Sequence, residues 1–316
     1  MLTTGLIDAV TEILTEAADT AIVPRFRALS KADVLEKAPG EVVTVADREA
    51  EELIAPRLRA LVDAPVVGEE ATAANPALLR ALRESPVAWV LDPLDGTANF
   101  IAGRPQWAVM AALVQGGQTV AGWIVRPVDG RVYTAEAGGG AWRNGVRVRR
   151  QPAACDPAVA RDPAAVPDVP VAPHPATAPD PATAPDQAVP PDLPAPTGTP
   201  AAPSTTALRG AAHTRFLDPA DRDRVRAAAP RFAEFGPGAM CAGFDYPQLI
   251  DGELDFVLFW RTLPWDHAAG TLLVAEADGV TRRPDGSVYR PDDERAGLLA
   301  AADEATWDVV RPVLLG

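Results

Sequence analysis

The chain has 316 residues, 47% apolar and 6% aromatic, with 43 Asp and Glu against 29 Lys and Arg and a formal net charge of −14. That composition supports a packed core, and the acidic balance argues against nucleic acid or anionic membrane as partners, since both call for basic or stacking surfaces. Two cysteines, Cys155 and Cys241, cannot build a disulfide framework; there is no signal-peptide pattern and no run of 18 apolar residues, so a cytoplasmic location is expected.

Leu6, Val10, Ile13, Leu14, Ala17, Ala18 and Ala21 recur at steps of three and four and predict an amphipathic first helix. Asp47 is expected to N-cap a second helix. Its inward face would be Ala50, Leu53, Ile54, Leu58 and Leu61, with a kink at Pro56. Strands are expected at Val87–Leu91, Trp107–Val114, Val120–Val125 and Arg131–Ala135, the last three as an antiparallel meander.

From Pro152 to Thr206 the composition breaks. Sixteen of the 33 prolines fall there, and a Pro-Ala-Thr-Ala-Pro-Asp hexamer occurs twice in tandem. Proline at this density favours extended chain over helix or ladder, so the stretch reads as a disordered insert, either a tolerated spacer or a partner-binding tract. Lengthening a loop from about 8 to about 55 residues costs only roughly 1.5–2 kcal/mol. Beyond it, a strand at Ala207–Ala212, a helix at Pro219–Ala229 and a buried strand at Leu254–Phe259 are predicted. A helix over Asp266–Asp278, apolar nearly all round, should be buried and stop at Gly279; a strand at Leu298–Ala301 and a closing helix follow. The expected organisation is an α+β half over residues 1–150, the insert over 151–206 and an α/β half over 207–316.

Acids stand in four segments: Thr44-Val45-Ala46-Asp47, Val66-Val67-Gly68-Glu69-Glu70, Trp89 to Phe100, and Pro264-Trp265-Asp266-His267. In the third, a strand ends at Asp92 and Pro93 fixes a turn. Asp92, Asp95 and the Leu94 carbonyl can then face one point, three hard oxygens of the kind Mg²⁺ prefers. A short helix from Thr97 to Ala102 would expose amides to an anion. Taken singly, each segment also reads as ordinary structure: a capped turn, two surface glutamates, or Asp266 as a helix N-cap. Crowded together, the acids repel unless cations neutralise them.

Gly68-Glu69-Glu70, then Asp92-Pro93-Leu94-Asp95-Gly96-Thr97-Ala98-Asn99-Phe100, then Trp265-Asp266-His267-Ala268-Ala269-Gly270 with Glu276-Ala277-Asp278-Gly279, resemble the signatures of the inositol monophosphatase family. The resemblance covers Leu6 to about Arg150 and Ala207 to the C-terminus. It implies a layered αβαβα sandwich and a Mg²⁺-dependent phosphomonoesterase acting on a small phosphorylated metabolite through a metal-activated water. Glu69, Asp92 and the Leu94 carbonyl would hold one ion, Asp92, Asp95 and Asp266 a second, with room for a third near Glu69. Thr97, hydrogen-bonded to Asp47, would orient the attacking water, and Glu70 would support from behind. Asp95, Gly96, Thr97 and Ala242 would meet phosphate or substrate. Lithium sensitivity and a homodimer belong to the same resemblance. No covalent intermediate is needed, and the three-residue step from Asp92 to Asp95 differs from the two-residue step of haloacid-dehalogenase-type phosphatases.

The resemblance thins at the substrate. Relatives that act on inositol phosphate carry a glutamate seven residues before the Trp-Asp aspartate, where this chain has Phe259. Phenylalanine accepts no hydroxyl, which argues against inositol phosphate; equally, Phe259 reads as a packed strand residue. Cys241 and Ala242 line the expected pocket without clear polar partners. Arg261 could meet a second anionic group or pair with a surface carboxylate. Nucleotide 3′-phosphates, histidinol phosphate and sugar bisphosphates are the alternatives, with an idle fold carrying a partner-binding proline tract as the reading from another class. His174, His213 and His267 receive no catalytic role, and Trp265 is read as packing that orients Asp266.

Overall fold

The computed structural model describes residues 4–38, 41–150 and 203–316. Most of the proline-rich segment, with Cys155 and His174, lies outside the described residues. Helix α1 (Thr4–Ala17) continues through a π-helical turn, Ala18–Ile22, and buries Val10, Leu14, Ala17, Ala18 and Ala21 along its predicted stripe. A hairpin of β1 (Val34–Ala38) and β2 (Glu41–Thr44) leads into α2 (Val45–Leu61). The N-cap is Thr44, not Asp47: the Thr44 hydroxyl accepts from the Ala46 amide, and Asp47 accepts in return from the Thr44 amide at 2.8 Å. A hydroxyl residue with an acid three positions on is the capping-box pattern. The inward face is narrower than predicted, since Leu53 and Leu61 are both 40% exposed, and the helix runs on through Pro56.

The first sheet follows, with β3 (Val66–Gly68), α3 (Glu69–Ala74), α4 (Ala81–Glu84), β4 (Val87–Asp95), α5 (Thr97–Ile101), β5 (Ala108–Gln115), β6 (Gln118–Arg126), β7 (Arg131–Glu136), β8 (Gly140–Arg143) and β9 (Val146–Val148). Its strands lie in sequence order, β3 parallel to β4 and the rest antiparallel. Strand β4 does not end at Asp92. Asp92 pairs with Met110 and Asp95 with Ala108, so three steps on β4 face two on β5. Residues three apart in a regular strand point to opposite faces; the extra residue of this bulge brings Asp92 and Asp95 to the same side. Pro93 sits where a missing N–H costs the ladder nothing.

The second sheet is built from β10 (Arg209–Ala212), α6 (Pro219–Ala227), β11 (Glu234–Gly236), α7 (Ala242–Ile250), β12 (Phe256–Phe259), α8 (Pro264–Glu276), β13 (Val280–Arg282), β14 (Leu298–Ala301) and α9 (Glu304–Leu314). Its order is β11-β10-β12-β14-β13; the first three strands are parallel and the last two pairings antiparallel.

The layers are αβαβα. Leu14, Ile54 and Leu58 of α1 and α2 pack on Trp89, Leu91 and Trp123 of the first sheet. Helices α7 and α8 fill the middle: Tyr246, Leu249 and Leu273 meet Val90 and Ile124 on one side and Val257 and Leu298 on the other. Helices α6 and α9 close the outer face, with Val225, Trp307 and Val310 against Phe256 and Leu299. A helix between two sheets has no solvent face, which is why α8 is apolar all round. It stops on Asp278, whose φ of 69° takes the left-handed position assigned above to Gly279. The Gly279 amide donates to Val274 O at 2.8 Å and the Asp278 amide to Ala275 O at 3.2 Å, a Schellman closure. Gly279 is needed for space instead: a Cβ there would lie 2.7 Å from Val274 Cγ1 and 3.0 Å from Ala301 O. Among the described residues no helix is long and apolar enough to cross a membrane.

Candidate active site

The bulge in β4 supplies Asp92 and Asp95. Helix α8 supplies Asp266 from its first turn; Leu263 is the N-cap and Pro264 the first helical residue, so Asp266 is not a cap. One carboxylate oxygen from each lies within 4.8 Å of the others. Burial raises all three pKa values, Asp95 to about 6 and the other two well above the ordinary carboxylate range. Glu69 and Asp95 add to the effect at Asp92, and Asp95 and Glu69 at Asp266. Three acids, Asp92 and Asp95 buried and Asp266 half-buried, with hard oxygen donors and, among the described residues, no lysine or arginine in an ion pair with them, fit a divalent cation.

Neighbours fix these ligands. Asp95 Oδ2 accepts from the Cys241 thiol at 3.0 Å and from the Gly243 amide at 2.6 Å, so the start of α7 clamps an acid of the first sheet. Cys241 therefore has a polar partner that sequence reasoning did not find. Asp92 Oδ1 accepts from the Leu94 amide at 3.0 Å. The Thr97 hydroxyl lies 3.0 Å from both Asp47 Oδ1 and the Leu94 carbonyl, and its single proton can serve one at a time. Asp47 is wholly buried; burial pushes it up to about 6 against the Thr44 hydrogen bonds that hold its other oxygen. Gly96 takes φ 83° ahead of α5, and a Cβ there would sit 2.6 Å from Gln106 O.

Glu69 lines the same cavity but stands outside the triad. The Lys37 ammonium from β1 lies 3.0 Å from Glu69 Oε1 and also pairs with Glu70. Burial opposes the charge on Lys37, but Glu69 and Glu70 outweigh it and raise its pKa; burial pushes Glu70 up to about 7. Neither Lys37 nor Glu51 was picked out from sequence. Glu51 follows Asp47 by one helical turn, is 7% exposed, and accepts from the Glu70 and Ala71 amides at 2.9 and 2.8 Å. Gly68 makes room for it: a Cβ would fall 2.5 Å from Glu51 Cδ. The available signals were Glu51's position four residues beyond Asp47 on α2 and Lys37's status as one of only two lysines in an arginine-rich chain.

The cavity, about 280 Å³, has a second wall from the other half of the chain. There His213 Nε2 meets Asp245 Oδ2 at 2.7 Å, and Asp245, wholly buried, also accepts from the Ala239 amide. Phe259 both lines the cavity and is packed, stacked on Tyr246 with centroids 4.9 Å apart and tilted against His213 at 4.8 Å. His267 is buried between the Tyr246 hydroxyl and the Arg261 carbonyl, and burial pushes it down to about 3, so it stays neutral. Arg261 pairs with Glu41 while lining the cavity. Ala242 lines it too, and Trp265 is buried, 8% exposed, beside Asp266.

The sequence matches the pattern of the inositol monophosphatase family over residues 5–166 and 203–311. It is 30% identical over 285 residues to an inositol-1-monophosphatase of Mycobacterium leprae, a match that spans 87% of this chain and 79% of that one. Over 114 residues it is 42% identical to an inositol-1-monophosphatase of Mesorhizobium japonicum, which covers 36% of this chain and 41% of the relative. The solved structure of an IMPase from Thermotoga maritima shares the fold, with a TM-score of 0.70 at 21% identity over 98% of this chain and 96% of its own. The chain belongs to the inositol monophosphatase family, a family of phosphoric monoester hydrolases. Residues 167–202 fall between the two matched stretches, so that part of the proline-rich text is extra to the family pattern.

Proposed function

We propose that the protein is a Mg²⁺-dependent phosphomonoesterase that hydrolyses a small phosphorylated metabolite. The observation that carries this reading is the gathering of Asp92, Asp95 and Asp266, from two distant stretches of chain, within 4.8 Å. These three, with the Leu94 carbonyl, would hold one or two ions, and Glu69 would join a further ion on exchanging its contact with Lys37. Bound ions would supply charge neutralisation at the phosphate and a more acidic water.

The chain's own groups do the rest. When Thr97 donates to Asp47, its oxygen lone pairs remain to accept from a water and aim that water's oxygen toward phosphorus. Gly96, Thr97 and Ala242 form the surface on which the phosphate rests. The water oxygen bonds to phosphorus, the ester oxygen leaves, and the water's proton ends on the departing alkoxide through solvent. Glu70 sits behind Glu69 and, with Glu51 and Lys37, keeps the Glu69 segment in place.

The reading is tested by phosphate release over a panel that includes inositol 1-phosphate, histidinol phosphate, a nucleotide 3′-phosphate and a sugar bisphosphate, with Mg²⁺, with chelator and with lithium. Mg²⁺-dependent release from at least one is expected. Thr97→Ala should lower kcat by about 10²-fold, the scale of losing one proton-positioning group. If no monoester is hydrolysed with Mg²⁺ present, the chain is an idle member of its family.

A further inference from the structure

One wall of the cavity presents carboxylates and the other is basic, and most groups on both are committed. Arg261 pairs with Glu41, and Arg215 packs on Phe216. Lys37 holds Glu69 and Glu70, and the Cys241 thiol donates to Asp95. His267 has both ring nitrogens bonded, to the Tyr246 hydroxyl and the Arg261 carbonyl. His213 is different. Its Nε2 meets Asp245 Oδ2 at 2.7 Å, and among the described residues its Nδ1 has no partner. The side chain is 18% exposed and lines the cavity.

The ring is held in one place. The His213 amide donates to the Leu258 carbonyl at 2.8 Å, one residue past the end of β10. Phe259 packs against the ring at 4.8 Å. Asp245 is wholly buried, and its other oxygen accepts from the Ala239 amide at 2.8 Å. Strands β10 and β12 run parallel, so His213 and Phe259 stand at their carboxyl ends, where open parallel sheets receive ligands. Asp245 follows Cys241 by one turn of α7, and its amide donates to the Cys241 carbonyl at 2.9 Å. The same turn therefore fixes Asp95, through Cys241 and the Gly243 amide, and His213, through Asp245.

A carboxylate only accepts, so the neutral His213 ring carries its proton on Nε2, and a second proton goes to Nδ1. An imidazole oriented by a buried carboxylate on one nitrogen can pass a proton at the other. With the phosphate against the aspartates, the alcohol part of the ester faces the basic wall. We propose that His213 is the general acid of the reaction: Nδ1–H protonates the ester oxygen as its bond to phosphorus breaks, and so sets which alcohols can leave. The electron pair of that bond stays on the oxygen. The proton lost by the attacking water returns through solvent to Nδ1, and the ring ends as it began. This rests on the hydrolase reading above and adds a catalytic residue to it.

Leaving groups of different acidity test it. Phosphate release with Mg²⁺ is compared for 4-nitrophenyl phosphate, whose leaving group departs without a proton, and for the alkyl ester of the panel that is hydrolysed fastest. His213→Gln, which can still bond Asp245, should lower kcat about 10²-fold on the alkyl ester, with little change in KM and little effect on the aryl ester. Imidazole added to His213→Ala should restore part of the alkyl-ester rate and leave the aryl-ester rate unchanged. Apart from turnover, nitrogen-15 NMR of the metal-free wild type should place the neutral ring's proton on Nε2. Equal losses on both esters with no rescue by imidazole, a change confined to KM, or a neutral proton on Nδ1 overturns the general acid and leaves the hydrolase reading standing. So does a wild type that cleaves the aryl ester but no alkyl ester. A wild type that cleaves neither ends both.

Discussion

The acid wall and the basic wall of the cavity are built differently. Asp92 and Asp95 come from four consecutive residues, aimed by one bulge and clamped by backbone amides and a thiol. His213, Arg215, Phe216, Phe259 and Arg261 come from two strand ends and the loops beyond them, and side chains hold side chains there. Backbone-held groups are difficult to move without breaking the sheet, while side-chain contacts on loops can be exchanged with little cost to the fold. The reaction would then be anchored in the rigid wall and selectivity in the adaptable one.

The sharpest way to break this contrast is Asp92→Asn. Phosphate release should fall at least about 10³-fold, the scale of removing a charge-stabilising group at the reacting centre. In chelator the same change should stabilise the fold, by about 1–3 kcal/mol, because it removes a buried acid that two neighbouring acids repel. Thermal unfolding with and without Mg²⁺ reads both signs at once. A variant that is less stable than wild type in chelator would mean the acids are not in conflict. Substitutions on the basic wall should show no such inversion.

How much could be read in advance follows the same division. The Asp92–Asp95 segment was legible because its ligands are local in sequence. The burial of α8 was legible because periodicity reports how many faces an element hides. The bulge was not: a turn after Asp92 and a strand continuing to Asp95 use the same letters, and only pairing with Met110 and Ala108 distinguishes them. Lys37 reaches Glu69 across 32 residues, His213 reaches Asp245 across a further 32, and Cys241 reaches Asp95 across 146. No local pattern encodes such meetings. Short, half-exposed strands such as β8 and β9 lack the apolar alternation that reveals a strand, and so they were missed.

The second test is pH. Without metal, burial lifts Asp47 and Asp95 to about 6 and Glu70 to about 7. Unfolded carboxyls titrate near 4. The folded state therefore holds more protons between those values, and the stability these groups contribute below about pH 4 is lost as pH rises through about 6 to 7. Mg²⁺ needs the deprotonated ligands. The rise in Tm on adding excess Mg²⁺ should thus be largest near pH 8, several degrees, and shrink toward pH 5. Surface ion pairs weaken alike with and without the ion and cancel in the difference. A gain in Tm that does not change with pH would place the ion away from these acids.

The smallest effect, and the one that probes how the acid wall is supported, comes from Glu51→Gln. Glu51 touches none of the three aspartates; it holds the Glu70 and Ala71 amides at the start of α3. Glutamine keeps one acceptor and turns its amide N–H₂ toward the other donor, leaving one backbone N–H unsatisfied at about 1–3 kcal/mol. Relief of a buried charge works the other way, since burial raises the Glu51 pKa, so a net loss near the lower end, about 1 kcal/mol, is expected. Activity should fall only several-fold, and the loss should shrink as Mg²⁺ is raised, because what has loosened is the Glu69 segment and its hold on a cation. A proportional fall in kcat at saturating Mg²⁺ would instead place Glu51 in the chemistry itself, and the rigid wall would then extend one residue deeper than its backbone clamps suggest.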